Sequence, residues 1–107
     1  MYATIVHRPS RLSPEQALAD TRAFLAARDT MNAILESPPS FILSVPADVP
    51  VTIAWGRHDR LLSPGQARVA QQRLPHARYV PLPGCGHVPM TDDPRLVATV
   101  LLDGSAG

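Results

Sequence analysis

Apolar and polar positions alternate along this chain with two different periods, and the change from one to the other divides it. From Ser13 to about Leu35 the apolar residues recur at helical spacing. Ala17, Leu18, Thr21, Phe24 and Leu25 fall on one face, and Met31, Ile34 and Leu35 continue the stripe after a break expected at Asp29-Thr30. Ser13-Pro14-Glu15-Gln16 is a helix start: the serine can cap, proline suits the first helical position, and the glutamine completes a capping box. A helical pair packing its apolar face is therefore expected, ended by Ser37-Pro38-Pro39-Ser40. Residues 1 to 12 carry no clear period and read as irregular, and the run Phe41 to Val45 is too short to classify.

Pro46-Ala47-Asp48-Val49-Pro50 reads as a linker, and past it the pattern shortens. Val51-Thr52-Ile53-Ala54-Trp55 is β-branched, aromatic and apolar on both faces, the pattern of a parallel strand covered on both sides, and Gly56 ends it. Ser63-Pro64 opens a helix of about three turns carrying Ala67, Ala70 and Leu74 and ending before Pro75. Ala77 to Leu82 is a second strand. Pro81 has no N–H to give a ladder, so this strand belongs at a sheet edge. Asp93-Pro94 then opens a last helix with Leu96, Val97, Val100 and Leu101 on one face, stopped near Gly104. Strand, helix, strand, helix with a right-handed crossover makes the strands parallel and puts the loops after them at the same end. Neighbouring strands lie only about 4.8 Å apart, so those two loops can meet.

Composition narrows the function classes. A length of 107 residues with 45% apolar content suits one modest globular domain. Ten basic and nine acidic residues leave a formal charge of +1 with the basic residues scattered, which gives no footprint for nucleic acid or an anionic membrane. No apolar run approaches the ~20 residues needed to span a bilayer, and the start lacks a leader pattern. The single cysteine, Cys85, cannot form an internal disulfide, so a soluble, cytoplasmic protein is expected. Twelve prolines, against a usual share of ~5%, sit mostly at element boundaries and act as punctuation.

The candidate chemistry lies in the two loops. Leu82-Pro83-Gly84-Cys85-Gly86-His87-Val88-Pro89 sets a histidine in a glycine frame after the second strand, and Asp59 follows the first. An imidazole works as a general base near neutral pH, and a carboxylate on its second nitrogen fixes its tautomer. Ligands of α/β sheets bind beyond the carboxyl ends of the strands, where both residues fall. From the residues alone, His87 is either such a base or a loop histidine bonded to backbone. Gly84-Cys85-Gly86 fails the dinucleotide fingerprint because Pro89 stands where its third glycine belongs. Cys85 and His87 have no second Cys/His cluster to complete a metal site, so neither metal nor cofactor is expected and Cys85 reads as a packing residue. Arg57, His58, His7 and His76 read as solvated surface residues, and Trp55 as core.

Val51 to Asp59 followed by Pro64, and then Leu82 to Pro89 followed by Asp93-Pro94, resembles the C-terminal end of the α/β-hydrolase fold family. In that family the order is nucleophile, acid, histidine, with the acid after the penultimate strand and the histidine after the last. The resemblance implies that Asp59 is the acid and His87 the base, with Trp55 beneath the active site. It also implies that residues 1–48 form a helical cap-like segment and 49–107 the C-terminal part of the core. The implied fold class is α/β: a partial α/β-hydrolase fold with two parallel strands and flanking helices.

One part of the family pattern is missing. The serines are Ser10, Ser13, Ser37, Ser40, Ser44, Ser63 and Ser105, and none stands in a Gly-x-Ser-x-Gly elbow. The expectation is therefore a C-terminal fragment, or half of a split enzyme, that acts on small ester-type substrates when completed and lacks turnover alone. The nucleophile, serine or aspartate, would lie upstream of Met1 or on another chain. The other expectation is a non-catalytic interaction module, since a two-stranded parallel sheet leaves an open edge that favours self-association or a partner protein.

Overall fold

The computed structural model describes residues 2–38, 40 and 44–106, and these form two compact units. One contains residues 12–44. The other joins residues 1–11 to residues 45–107, so the first eleven residues belong with the strands.

In the first unit, α2 (Pro14–Ala26) and α3 (Arg28–Glu36) are the expected helical pair. The capping box forms as the sequence implies: the Gln16 N–H donates to Ser13 Oγ at 3.2 Å and the Ser13 N–H to Gln16 Oε1 at 3.0 Å. The break falls at Ala27, two residues before the expected position, because α3 resumes directly from the end of α2 with no side-chain cap. Neither helix buries a residue within this chain. Leu18, Leu25 and Leu35 are more than half exposed. Most of the run from Phe41 lies outside the described residues.

The second unit holds the sheet. Strands β1 (Thr52–Gly56) and β2 (Arg78–Leu82) pair in parallel, with Thr52 opposite Arg78 and Gly56 opposite Leu82. The crossover is α4 (Gly65–Arg73), whose buried residue is Ala67 and which packs on β1. The Arg78 N–H donates to Val51 O, and beyond the strands the Arg57 N–H donates to Leu82 O. A parallel ladder alternates its partners, so Arg78, Val80 and Leu82 face β1 while Pro81 turns its N–H-free nitrogen outward. That is the edge geometry expected of a strand containing proline.

β1 is less covered than its apolar composition implies. Ala54 is exposed, and Thr52, Ile53 and Trp55 are only half-buried; among the described residues the sheet has only two strands, so β1 has no neighbour on its other edge. After β2 come α5 (Pro89–Asp92), which the sequence reading did not resolve, and α6 (Pro94–Ser105). Asp93 caps α6 by accepting the Leu96 N–H at 3.0 Å.

The segment read as irregular contains two short elements, α1 (Tyr2–Ile5) and a 3₁₀ turn (Pro9–Arg11). Both are too short to show a period, and tertiary bonds hold them. Apart from glycines, the well-buried residues described in this unit are Val6, Ala67, Leu82, Cys85 and Asp92. Three of the five lie between Leu82 and Asp92, so the most enclosed part of the molecule is the frame around His87. No helix among the described residues is long and apolar enough to cross a membrane.

Candidate active site

Both loops after the strands are held by backbone before any side chain acts. The His58 N–H donates to Cys85 O at 2.9 Å, and the Asp59 N–H closes a turn onto Gly56 O. The two loops approach so closely at Gly56 that a Cβ there would overlap the carbonyl oxygens of Gly86 and Cys85. Glycine is the one residue that lets them meet. Gly84 has φ +68°, the left-handed turn that sends the chain back toward β1.

On this frame Asp59 and His87 come together. His87 Nδ1 lies 3.0 Å from Asp59 Oδ2, and the Asp59 side chain is only 5% exposed against 32% for His87. The other carboxylate oxygen, Oδ1, accepts the N–H groups of Leu61 at 2.9 Å and Leu62 at 2.8 Å, which lock the carboxylate plane. Burial pushes this carboxyl upward. The hydrogen bonds from Leu62, His87 and Leu61, with the attraction of a charged imidazole, outweigh that effect and hold it below the usual aspartate range. An ionised Asp59 accepts from Nδ1–H, which makes Nε2 the basic nitrogen of a neutral His87.

An open cleft of about 250 Å³ lies over the pair, lined by Ala54, Trp55, Gly56, Leu62, Pro89 and the two site residues, among others. It falls just under the ~300–1,000 Å³ usual for small-molecule sites. Trp55 forms part of its wall, half-buried, with Nε1 donating to Leu62 O at 3.4 Å. Among the described residues, the cleft lining contains no serine, threonine or cysteine. Cys85 is fully buried away from it, consistent with a packing role. Burial raises its thiol pKa, as do the charges of Asp92 and Asp93, against smaller opposing effects of Arg8 and Arg11.

Two features escaped the sequence. Asp92 is fully buried. Its Oδ2 accepts the N–H groups of Gly86 at 2.7 Å and His7 at 2.9 Å, and its Oδ1 that of Arg8 at 2.5 Å. Burial alone would raise this carboxyl too, but the three backbone donors and the nearby His7 hold it low. The second feature is His7, which is half-buried and not the surface residue expected. Its ring stacks on His58 with centroids 3.9 Å apart and planes within 10°. The signal for Asp92 was an acid five residues past His87, but it sits beside the helix-capping Asp93, which accounts for an acid there by itself. Arg57, His58 and His76 are exposed as expected.

No curated protein matches the chain. A family model described as the alpha/beta hydrolase family matches residues 3–100. The match takes in both strands, the helix between them, the loops that carry Asp59 and His87 and the helical pair before them, and the chain therefore belongs to the alpha/beta hydrolase family.

Proposed function

We propose that this chain supplies the acid–base half of a hydrolase active site, with His87 as general base and acid and Asp59 as its orienting carboxylate. The observation that carries this reading is the 3.0 Å approach of Nδ1 to a buried, ionised carboxylate beside an open cleft. With a serine nucleophile, Nε2 takes the hydroxyl proton as the oxygen attacks an ester carbonyl, and returns it to the departing alcohol. In the second half Nε2 takes a proton from water as the hydroxide attacks the acyl-enzyme, then gives that proton back to the serine. With an aspartate nucleophile, its carboxylate attacks directly and Nε2 activates only the water. The residues present fit both.

The nucleophile is to be supplied from outside these 107 residues, by further sequence before Met1 or by a second chain. The absence of a Gly-x-Ser-x-Gly elbow and the cleft lining support this. The substrate class is small, ester-like and uncharged, with no nucleic acid or membrane involved. The test is hydrolysis of short-chain aryl esters by the pure chain, and by the chain mixed with an elbow-bearing N-terminal portion of an alpha/beta hydrolase. Turnover is expected only in the mixture, and only with His87 intact. Turnover by the pure chain that disappears in His87→Ala would overturn the split reading.

A second reading, an interaction module, is favoured by one observation: among the described residues the outer edge of β1 has no strand beside it. In that case the edge pairs with a partner protein or a second copy. Size-exclusion of the pure chain tests this: a dimer or larger assembly is expected, and a monomer counts against pairing through the open edge.

A further inference from the structure

The segment from Ile5 to Arg8 crosses the loop that bears His87. The Val88 N–H donates to Ile5 O at 3.0 Å, and the N–H groups of His7 and Arg8 both end on Asp92. The same Asp92 carboxylate also takes the Gly86 N–H, directly before His87. On the other side, the His7 ring lies flat on His58, directly before Asp59. Arg11 adds a hydrogen bond to the Asp92 carbonyl oxygen. This segment therefore touches both loops of the site, through backbone to one and through an aromatic stack to the other.

We propose that residues 5–8 act as a strap that fixes the separation of the His87 and Asp59 loops, with Asp92 and His7 as its positioning residues. This rests on the reading of His87 and Asp59 as a working pair. Asp92 touches neither side chain of that pair. It anchors the backbone at Gly86, so the direction in which His87 leaves the frame follows from where the strap is tied. Three donors converging on one buried carboxylate set that position tightly, since charge-assisted bonds of this kind are short and directional. The His7–His58 stack sets the other distance. A 1 Å error between His87 and Asp59 would break their hydrogen bond, so a strap that touches both loops can decide whether the pair forms.

The experiment is ¹⁵N-histidine NMR of the full 107-residue chain, reading which His87 ring nitrogen carries the proton and whether Nδ1–H is protected from exchange, with thermal unfolding alongside. Asp59→Asn is the reference for a lost pair. In the wild type, a spectrum identical to that of Asp59→Asn would mean the pair itself does not form, which defeats the proposed function as well as the strap. Given a formed pair, Asp92→Asn is expected to lose the protected Nδ1–H while still unfolding cooperatively. His7→Ala is expected to weaken it, and His7→Phe, which keeps a stacking ring, to restore it. If Asp92→Asn does not fold, the His7 variants decide. Retention of the protected proton in folded Asp92→Asn, or in His7→Ala, overturns the strap and leaves the His87–Asp59 pair standing.

Discussion

His87 Nδ1 and Asp59 Oδ2 lie 3.0 Å apart across 28 positions of sequence, and the carboxylate is the more buried member of the pair. Its second oxygen is fully occupied by the Leu61 and Leu62 N–H groups, so Asp59 has one direction left in which to act. Asp59→Asn keeps the shape but can present an amide donor to Nδ1, which moves the ring proton to Nε2 and removes the base. In the mixture with a nucleophile-bearing portion, kcat is expected to fall by ~10⁴, the scale of a wrong histidine tautomer in a serine hydrolase. The melting temperature should change little by comparison. Steady-state hydrolysis of an aryl ester, with thermal unfolding as the control, checks both halves.

Asp92 is expected to matter for folding far more than its exposed neighbours. Asp92→Ala strips the acceptor from three N–H groups, those of Gly86, His7 and Arg8, and a buried unsatisfied donor costs about 1–3 kcal/mol. A loss of roughly 3 kcal/mol or more is expected in urea unfolding, against less than ~0.5 kcal/mol for a surface change such as Arg68→Ala.

Acid should destabilise the protein through the same carboxylates. Asp59 and Asp92 both have folded-state pKa values below the ~3.9 of an unfolded aspartate. Above about pH 5 both are ionised in either state and their stabilisation is complete. As pH falls through the unfolded value, the unfolded chain takes up protons that the folded chain does not, so stability declines until the folded values are passed. Melting temperature followed from about pH 6 to pH 2 should drop more steeply for the wild type than for Asp92→Asn. Equal slopes would mean that folding does not lower the Asp92 pKa.

The fold was legible where single residue types decide local geometry. Ser13 and Gln16 specify a cap, Pro81 an outer strand, and the loops bearing Asp59 and His87 follow from two strands joined by one helix. The acid that shapes the loop was not legible. Asp92 acts through backbone N–H groups more than 80 positions away, at His7 and Arg8, and no spacing rule connects them. The same holds for α1 and the 3₁₀ turn, which are too short to show a period and are tied down by the Val88 N–H to Ile5 O and by Arg11 to the Asp92 carbonyl oxygen. Coverage of β1 was overestimated because an apolar strand records the sheet it can join, whereas exposure depends on which layers lie beside it.

Gly56 should be the least replaceable residue of the sheet. A Cβ there meets carbonyl oxygens of Gly86 and Cys85, which are backbone atoms held by Asp92 and by the His58 N–H, so no side-chain motion relieves the overlap. Gly56→Ala is expected to cost about 1–3 kcal/mol, the usual range for overpacking. It should also push the His87 loop away from Asp59. Loss of the protected Nδ1–H in a variant that still folds would register the second effect separately from the first.

Cys85 should report the integrity of the whole frame. Its side chain is fully buried, and burial together with the charges of Asp92 and Asp93 raises its pKa, so the folded state holds it as an inaccessible thiol. Alkylation proceeds through the thiolate and needs access. Iodoacetamide should therefore label the native protein far more slowly than the urea-unfolded chain, at a rate set by opening of the frame. Asp92→Asn lowers the barrier to that opening by freeing the Gly86 and His7 N–H groups, and it also removes a charge that opposes thiolate formation. Both effects act in the same direction, and faster labelling is expected in Asp92→Asn under native conditions. His76→Ala, at an exposed position between α4 and β2, should label at the wild-type rate. Rapid labelling of the wild type, at the rate of the unfolded chain, would mean that the segment from Leu82 to Asp92 does not close over Cys85 in solution.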